Sequence, residues 1–422
     1  MRNTMLDGIR INPNRLWDSI MSMAKIGATE KGGSCRVALS DEDKAGRDLF
    51  VEWCIQAGCG VTVDTMGNIF ARRKGEDETL PAVASGSHLD TQPHGGKFDG
   101  IFGVLAGLEV IRTLNEQGIK TRAPVDVAVW TNEEGVRFAP AMLASAVFAG
   151  VFDLDYGLSR ADVEGRTVGA ELARIGYGGT EQCGDRRFGA FFEAHIEQGP
   201  ILEREGKTIG VVLGGQGCRW YDVTVSGQDA HAGSTPMEGR RDALIAAAEM
   251  AIALRQVALG HPPHAVCTVG EIHVSPNSRN TIPGQVRFTV DIRHADAEIL
   301  DTIGREAAAR CQELVRQQSV TMEIEEIWHQ PPVHFEQGCI SAVRAAARSL
   351  GIAHRDIVSG AGHDSFLISK VAPTSMIFVP CAGGISHNEE ESATKEDVAA
   401  GCDVLLRAIL DRAGVCAEGD NG

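Results

Sequence analysis

The chain has 422 residues, of which 40 are basic and 57 acidic, giving a formal net charge of −17. This length predicts two domains with ample cores, and the charge disfavours general binding to nucleic acids or anionic membranes. No apolar stretch approaches the roughly 20 residues that cross a bilayer. The start of the chain lacks the apolar core of a signal peptide, and the cysteines form no C-x-x-C pair, so we expect a cytoplasmic protein with reduced thiols.

The first informative elements are a predicted strand, helix and strand. AVASGSHLD and VDVAVWTNEEG are apolar runs that end in polar residues, and GIFGVLAGLEVIRTL between them has helical periodicity. Such buried runs are typical of an α/β sheet, in which ligand-binding groups collect at the carboxyl ends of strands. The sequence therefore predicts that His88, Glu133 and Glu134 lie at one edge of a sheet.

The segment GSHLDTQPHGGKFDG, at the end of the first of these strands, carries three candidate functional side chains. Residues i and i+2 of an extended segment point the same way, so the Asp90 carboxylate is predicted to hold the His88 imidazole in one tautomer. Asp99 precedes the predicted helix and could bind two metals, one through each oxygen. The alternative is that Asp99 caps this helix.

TNEEG places two carboxylates next to each other at the end of the second strand. Consecutive side chains point apart, and two neighbouring anions repel each other, which favours different roles for Glu133 and Glu134. One can bind a cation while the other acts as a general base and then as an acid. An exposed acidic turn is an equally good interpretation of TNEEG alone.

Two further histidines, His195 in FFEAHIEQGP and His387 in CAGGISHNEEES, stand at predicted strand or loop ends. With His88, Asp99 and Glu134 they form a nitrogen and oxygen ligand set suited to Zn, Mn, Co or Ni. Five ligands are too many for one catalytic zinc with open positions. Two ions that share Asp99, roughly 3.5–4 Å apart with a hydroxide between them, would use all five.

The pattern changes near residue 218, where six segments alternate in the order β-α-β-β-α-β. They are WYDVTVSG, RRDALIAAAEMAIALRQVAL, AVCTVGEIHV, QVRFTVDIRH, AEILDTIGREAAARCQELVRQQ and VTMEIEEIW. This order is that of a ferredoxin-like sandwich. We therefore predict an inserted domain at residues 212–329 and a catalytic domain made of residues 1–211 and 330–422, in which TSMIFVP forms another buried strand.

Several segments, taken together, resemble the hydantoinase/carbamoylase branch of the dizinc aminoacylase and carboxypeptidase superfamily. They are GSHLDTQPHGGKFDGIFGVLAGLEV, WTNEEGVRFAPAMLAS, EAHIEQGPILE, GQDAHAGSTPMEGRRDA, SPNSRNTIPG and SGAGHDSF…MIFVPCAGGISHNEEE. The branch includes N-carbamoyl-L-amino-acid hydrolases, bacterial β-ureidopropionases and allantoate amidohydrolases. The resemblance extends from about residue 12 to residue 412. It implies an α/β fold, with a mixed-sheet dizinc catalytic domain and an inserted ferredoxin-like domain for lid closure and dimerisation.

The resemblance also implies roles for individual residues of the catalytic domain. One metal would be bound by His88 and His195 and the other by Glu134 and His387, with Asp99 as the bridge. Glu133 would be the general base, and Asp90 would support His88. The expected cofactors are two divalent ions per subunit; Zn is expected, and Mn, Co or Ni are the alternatives.

In the inserted domain the resemblance implies that His231 stabilises the developing oxyanion and that Asn280 and Arg293 bind the substrate carboxylate, some of them across a dimer. Alternation in QVRFTVDIRH places Arg293 opposite the apolar face, where a solvated arginine is the alternative. For His231 the alternative is a loop residue beside the following helix.

Three other residues match pocket segments of the same branch, with less definite roles as substrate-binding groups: Gln198, Gln216 and His363. For His363 a hydrogen bond that stabilises the GAGHDS loop is an equally good interpretation. The remaining histidines are interpreted as structural or surface residues.

The predicted function is a two-metal amidohydrolase that converts an N-carbamoyl-L-amino acid or N-carbamoyl-β-alanine to the amino acid, ammonia and carbon dioxide. The expected partners are a small ureido acid and a second copy of the chain. Allantoate amidohydrolase is the first alternative, because its substrate also has a ureido group next to a carboxylate. An aminoacylase or peptidase, and a non-catalytic dimeric scaffold that retains the fold, are more distant alternatives.

Overall fold

The computed structural model describes residues 8–416. The helices of this part of the chain are α1 (Pro13–Met23), α2 (Asp41–Gln56), α3 (Ile101–Glu116), α4 (Leu143–Phe148), α5 (Leu154–Ser159), α6 (Val168–Ile175), α7 (Ile201–Glu205), α8 (Ala243–Leu259), α9 (Ala297–Gln317), α10 (Gln337–Ser349), α11 (Asp364–Ile368) and α12 (Lys395–Ala413). The strands are β1 (Gly60–Val63), β2 (Ile69–Arg73), β3 (Ala82–His88), β4 (Val125–Trp130), β5 (Phe188–Ile196), β6 (Ile209–Gly215), β7 (Gly217–Ser226), β8 (Ala230–His231), β9 (Val266–Thr268), β10 (Ile272–Ser275), β11 (Thr281–Ile282), β12 (Gln285–His294), β13 (Thr321–Gln330), β14 (Val333–His334), β15 (His354–Ser359) and β16 (Thr374–Val379).

The chain divides into two compact units, and the second, Gly215–His334, is inserted into the first. The residues up to Gly214 and those from Phe335 onward form the first unit. The predicted boundaries, 212 and 329, fall inside β6 and β13. The observed boundaries, between Gly214 and Gly215 and between His334 and Phe335, coincide with no change in amino-acid composition, so the sequence alone does not mark them. The predicted outermost residues, 1–7 and 417–422, lie outside the described part of the chain.

The first unit is built on a mixed sheet with the strand order β1-β2-β4-β3-β5-β16-β6, and β15 also pairs with β6. Four neighbouring strands, β4, β3, β5 and β16, run parallel to one another. The outer pairs, β2 with β4 and β16 with β6, are antiparallel. Every residue of β3, β4 and β16 is buried, as predicted for strands covered on both faces.

The core of this unit packs around α3 and an aromatic cluster. All but three residues of α3 are buried, which agrees with its predominantly apolar sequence. Trp130, the last residue of β4, has its ring centroid 5.0 Å from Phe148 and 5.8 Å from Phe70, in edge-on arrangements. This packing fixes the end of β4, and the segment TNEEG follows directly.

The second unit contains a five-stranded antiparallel sheet and two long helices, α8 and α9. Its β7 lies between β12 and β13, and both β9 and β10 pair with β12. Alternate residues of β12 are buried against α8 and α9, namely Val286, Phe288, Val290 and Ile292. These observations confirm the predicted fold class, a mixed-sheet α/β domain with an inserted ferredoxin-like domain.

The predicted strand AVCTVGEIHV is broken into β9 and β10, which differs from the continuous strand expected. Thr268 pairs with Asp291 and Ile272 with Phe288, so three residues of one strand oppose two of the other. The break is therefore a bulge. None of the helices within residues 8–416 has the length and apolar composition that crossing a bilayer requires.

Candidate metal centre

The candidate ligands converge because parallel strands end at the same edge of the sheet. His88 is the last residue of β3 and lies opposite Trp130, the last residue of β4. His195, near the end of β5, lies opposite Phe378 of β16, and the chain beyond β16 carries His387. The order of the strands therefore brings together residues that are far apart in the sequence.

Asp99 lies at the centre of this cluster and turns its two oxygens to different sides. Its Oδ1 is 3.1 Å from Nε2 of His195 and 3.5 Å from Nε2 of His88. Its Oδ2 is 3.4 Å from Nε2 of His387, and the same nitrogen is 3.4 Å from Oε2 of Glu134. The five predicted ligands are thus brought together in two groups that share Asp99.

The Asp99 carboxylate does not cap helix α3, which was the alternative interpretation. The N-cap residue is Gly100, and no side chain makes a capping hydrogen bond there. Gly100 has φ of 68°, and a Cβ at this position would lie 2.4 Å from the His88 ring. The glycine is therefore required both by the left-handed backbone and by the close approach of the imidazole.

The tautomers of both buried histidines leave Nε2 available as a ligand. Nδ1 of His88 is 2.8 Å from the carbonyl oxygen of Asp90, and Nδ1 of His195 is 2.9 Å from the carbonyl oxygen of Ile196. A carbonyl can only accept, so in the neutral form of both rings the proton is on Nδ1 and the lone pair on Nε2. Nε2 is also the atom that faces Asp99.

The predicted role of Asp90 needs a correction. Its carboxylate is 4.0 Å from Nδ1 of His88, and the backbone carbonyl of Asp90 makes the hydrogen bond to the ring instead. The carboxylate accepts the backbone N–H groups of Glu133 and Glu134, each at 3.2 Å. The physical reason is that these two turn amides are buried donors that need an acceptor, whereas the ring already has one.

The TNEEG segment forms a tightly held turn rather than an exposed acidic loop. Asn132 has φ of 59°, and its side chain donates to the Phe138 carbonyl at 2.7 Å. The backbone of Glu133 accepts a hydrogen bond from Met142 at 2.6 Å. The Glu133 side chain is buried, and its Oε2 lies 3.6 Å from Nε2 of His88. Glu133 therefore stands beside the first group of ligands, and Glu134 belongs to the second.

The carboxylates of the cluster differ in their proton affinity. Burial, followed by the nearby charge of Asp99, raises the pKa of Glu134 to about 8. Burial also raises the pKa of Glu133 well above its usual value, although the charge of His88 opposes this. For Asp99, burial would raise the pKa, but hydrogen bonds from His195 and His88, in the form in which each ring also carries a proton on Nε2, bring it well below the usual value. Without a cation, these buried carboxylates cannot all be stable as anions.

A third group of potential ligands, Glu193, His195 and His363, also lies close together. Both oxygens of Glu193 are already bonded, one to the Ser87 hydroxyl at 2.6 Å and the other to the Ser365 hydroxyl at 2.5 Å. His363 packs edge-on against His195, with ring centroids 4.6 Å apart. Glu193 therefore has no spare carboxylate oxygen for a separate ion, and His363 supports the ring of His195 by packing against it.

Sequence reasoning missed the residues that orient the second group. Gln92 donates to both oxygens of Glu134, through its backbone N–H at 3.1 Å and its side-chain amide at 2.7 Å. Ser386 and Glu391 lie next to Asp99 in the chain beyond β16. Gln198, which was predicted to bind substrate, donates to Oδ2 of Asp99 at 2.8 Å. The run NEEE after His387 was the available signal for Glu391, but nothing in it distinguishes a buried glutamate from exposed ones.

Comparison with known proteins gives matches that cover the residues of the cluster. The model of peptidase family M20/M25/M40 matches residues 84–411, a range that contains every member of the cluster. The chain belongs to this family. Over 404 residues, 96% of the chain and 97% of the relative, it is 52% identical to an N-carbamoyl-L-amino-acid amidohydrolase from Rhizobium meliloti. A ureidoglycolate hydrolase from Arabidopsis thaliana is 35% identical, with 88% of this chain and 80% of the relative covered.

Among solved structures, an amidase of the hydantoinase/carbamoylase family from Burkholderia multivorans has a TM-score of 0.94 and 57% identity, covering 96% of this chain and 98% of the other. This M20/M25/M40 protein therefore belongs to the hydantoinase/carbamoylase branch, as its motifs predicted. It is an enzyme that hydrolyses amide C–N bonds. The interpretation as a non-catalytic scaffold is thereby set aside.

The donor set of this family member fits a pair of divalent metal ions. Each group offers imidazole nitrogens and carboxylate oxygens, which are suitable ligands for Zn, Mn, Co or Ni. The tautomers present lone pairs inward, and the excess of buried carboxylates needs a positive charge.

The other predicted site residues of this M20/M25/M40 protein lie in the inserted unit. His231 is in β8, and its partner β11 places it opposite Thr281, while Asn280 accepts the backbone N–H of Ala232 at 2.9 Å. The Arg293 guanidinium donates to Asp291 through Nε and Nη2, at 3.1 and 2.8 Å. Gln216 donates to the carbonyl of His264 at 3.1 Å. His231 and Asn280 are thus neighbours, and the roles of all four residues toward substrate stay predictions.

Proposed function

We propose that the enzyme removes the carbamoyl group from an N-carbamoyl-L-amino acid, releasing the amino acid, ammonia and carbon dioxide. The observation that carries the proposal is the cluster in which Asp99 faces His88 and His195 with one oxygen and His387 with the other. The 52% identity to an enzyme named for this reaction supports the choice of substrate class.

In the proposed enzyme, His88 and His195 would hold one divalent ion, Glu134 and His387 would hold the other, and Asp99 would serve both. When bound, such ions activate a water molecule and polarise a carbonyl group. The chain itself prepares the site, because the carbonyls of Asp90 and Ile196 direct the lone pairs of His88 and His195 inward. Zn is the first expectation, with Mn, Co or Ni as alternatives.

Glu133 is the proposed general base. Its carboxylate is buried beside His88, and its backbone is held by Asp90 and Met142, so its position is set before substrate binds. The carboxylate would take a proton from the attacking water and return it to the leaving ureido nitrogen. Burial raises the pKa of Glu133 and so favours the second, acidic role.

His231 is the proposed donor to the oxyanion. Its Nδ1 accepts the backbone N–H groups of Gly233 and Ser234, both at 3.1 Å. Because Nδ1 accepts, the ring proton is on Nε2, and the exposed edge of the ring is a hydrogen-bond donor. A donor fixed in this way before the reaction is suited to stabilising a tetrahedral oxyanion.

Arg293, Asn280 and Gln198 are the proposed substrate-binding groups. Asp291 accepts from Nε and Nη2 of Arg293 and so orients the guanidinium, whose positive charge suits a substrate carboxylate, and Asn280 lies beside His231 in the same unit. Oε1 of Gln198 is buried and has no hydrogen-bond partner among residues 8–416, so a ureido N–H group would satisfy it. Gln216 donates to the carbonyl of His264, and Nε2 of His363 is 3.1 Å from the Ser359 hydroxyl; both residues are proposed to line the substrate pocket.

We further propose a cytoplasmic homodimer formed through the inserted unit. That unit exposes large apolar side chains on α8 and on β13, namely Ile245, Ile252, Leu259, Ile324, Ile327 and Trp328. Exposed apolar surface of this kind is typical of protein interfaces. All eleven cysteines lie within residues 8–416 and are unpaired, which supports a reducing compartment.

The test is ammonia release by the metal-reconstituted enzyme from a panel of substrates. The panel contains N-carbamoyl-L-amino acids, their D-enantiomers, N-carbamoyl-β-alanine, allantoate, ureidoglycolate, N-acetyl amino acids and dipeptides. We expect the highest kcat/KM with one or more N-carbamoyl-L-amino acids. A preference for allantoate or ureidoglycolate would move the proposal to that reaction, and hydrolysis of dipeptides or N-acetyl compounds alone would overturn it.

A further inference from the structure

Glu391 is a buried carboxylate next to Asp99 that the proposed reaction does not use. Only 4% of its surface is exposed, and it lies four residues beyond His387. Its Oε1 accepts the backbone N–H groups of Phe98, at 2.9 Å, and of Asp99, at 3.2 Å. One carboxylate oxygen from the His387 segment therefore holds the backbone of the Asp99 segment.

The other oxygen of Glu391 reaches the Asp99 side chain through Ser386. The Ser386 hydroxyl is 3.0 Å from Oε2 of Glu391 and 3.0 Å from Oδ2 of Asp99. A hydroxyl has one proton to donate, so it bridges two acceptors and bonds to one of them at a time. The Gln198 amide, 2.8 Å from Oδ2 of Asp99 and 3.2 Å from the Ser386 oxygen, supplies further donors. Asp99 thus keeps a hydrogen bond in either arrangement.

The backbone of the Asp99 segment also packs closely against the Glu391 side chain. A Cβ on Gly96 would lie 2.0 Å from Oε1 of Glu391, so the backbone of the glycine pair passes directly against the carboxylate. Gly96, the second glycine of GGKFDG, is therefore required for steric reasons. Glu391 fills the space that a side chain on residue 96 would need.

His387 depends on this arrangement more than the other candidate ligands do. Its side chain is 51% exposed, and its backbone has φ of 53°, a left-handed conformation that is unfavourable for a residue with a Cβ. His88 and His195, by contrast, are buried in strands. Something outside the histidine must therefore hold its segment against Asp99.

We propose that Glu391 is a positioning residue that, with Ser386, clasps the His387 segment to the Asp99 segment and so assembles the second ligand group. This inference rests on the proposed function in one respect, namely that Asp99, Glu134 and His387 bind a divalent ion. Without the clasp, the ion held by this group has to order the segment itself, and its affinity falls by the free energy of that ordering.

The test compares Glu391→Ala with Glu390→Ala, which removes an exposed carboxylate one residue earlier in the same segment. Metal-depleted protein is titrated with Zn²⁺ in competition with a chromophoric chelator, and the circular dichroism and Tm of the metal-free proteins are recorded. We expect Glu391→Ala to lower the affinity for one of two Zn²⁺ ions by about 10–100-fold and to leave the affinity for the other nearly unchanged. Glu390→Ala should bind both ions like the wild type.

Two further variants separate positioning from general structural damage. Glu391→Gln keeps an oxygen for the two backbone amides and places an N–H₂ group toward Ser386, so it should restore most of the affinity. Ser386→Ala keeps the hydrogen bonds from the Phe98 and Asp99 amides to the Glu391 carboxylate, and it should lower the affinity for the same ion by about 10-fold. If Glu391→Ala does not fold, Ser386→Ala and Glu391→Gln decide the question.

Wild-type affinity for both ions in Glu391→Ala, or in Ser386→Ala when the former does not fold, would overturn the positioning role. Equal weakening of both ions would also overturn it, because the clasp lies on the His387 side. If the wild-type protein binds no Zn²⁺ or other divalent ion, the proposed function fails instead, and the titration distinguishes the two results.

Discussion

The His88 imidazole is held by the backbone carbonyl of Asp90, at 2.8 Å, and not by the Asp90 carboxylate, which accepts the amides of the Glu133 and Glu134 turn. Asp90→Asn should therefore disturb the turn more than the histidine. An asparagine oxygen can accept one of the two amides, and its N–H₂ group faces the other donor. We expect kcat to fall by about 10–100-fold while the Zn²⁺ content is retained. Selective loss of the ion bound by His88 would show that the carboxylate acts on the ring after all.

Replacement of Glu133 by Gln removes the proposed base and changes little else, since the backbone of Glu133 makes the contacts that hold the turn. Loss of general acid–base catalysis typically lowers kcat by about 10²–10⁴-fold. Zn²⁺ content and Tm should stay at the wild-type values. A variant with unchanged kcat would reject Glu133 as the base, whatever its metal content.

Gly100→Ala tests whether the close approach of His88 is needed for metal binding. The new Cβ would meet the imidazole at 2.4 Å, so the ring has to move. Gly118→Ala is the matched control, because Gly118 has a similar φ of 63° and open space around it. Both variants carry the strain of a left-handed alanine, but we expect the first alone to lose Zn²⁺ affinity, by at least about 10-fold. Equal affinity in the two variants would contradict the steric argument.

His231→Ala should reduce kcat by about 10²–10³-fold, the range found when one oxyanion donor is removed. Metal binding should be unchanged, since His231 is in the inserted unit and is not a member of the cluster. His273→Ala, at an exposed position of the same unit, is the control and should keep wild-type kinetics. A rise in KM without a fall in kcat would assign His231 to ground-state binding instead.

The buried ion pair between Asp43 and Arg47 should contribute to stability rather than to catalysis. Both side chains are at most 1% exposed, and Arg47 also donates to the carbonyl of Gly67 and to the hydroxyl of Thr131, the first residue of TNEEG. Asp43→Asn leaves an unpaired buried guanidinium and is expected to lower the free energy of unfolding by about 3–5 kcal/mol. The exposed pair of Glu76 and Lys120 is the control, and Glu76→Gln should cost less than about 1 kcal/mol in urea unfolding.

Local sequence determined the elements that carry the site. The buried runs ending at His88 and Trp130 and the apolar helix between them were predicted because burial on both faces requires continuous apolar residues. The inserted unit was predicted from alternation and helical periodicity, although the bulge between Thr268 and Ile272 left no readable mark. The identity of the candidate ligands came from the resemblance of whole motifs, since any one histidine or carboxylate has many ordinary explanations.

The tertiary structure alone decided which groups face one another at atomic distance. That the Asp90 carboxylate binds the Glu133 turn and not His88, that Gln92 orients Glu134, and that Glu391 binds the Asp99 segment are contacts between segments 42 to 293 residues apart. Hydrogen-bond partners of this kind depend on positions to within a few tenths of an ångström, which are set by the packing of the sheet and not by the local chain. Composition and periodicity report burial, and burial does not specify a partner.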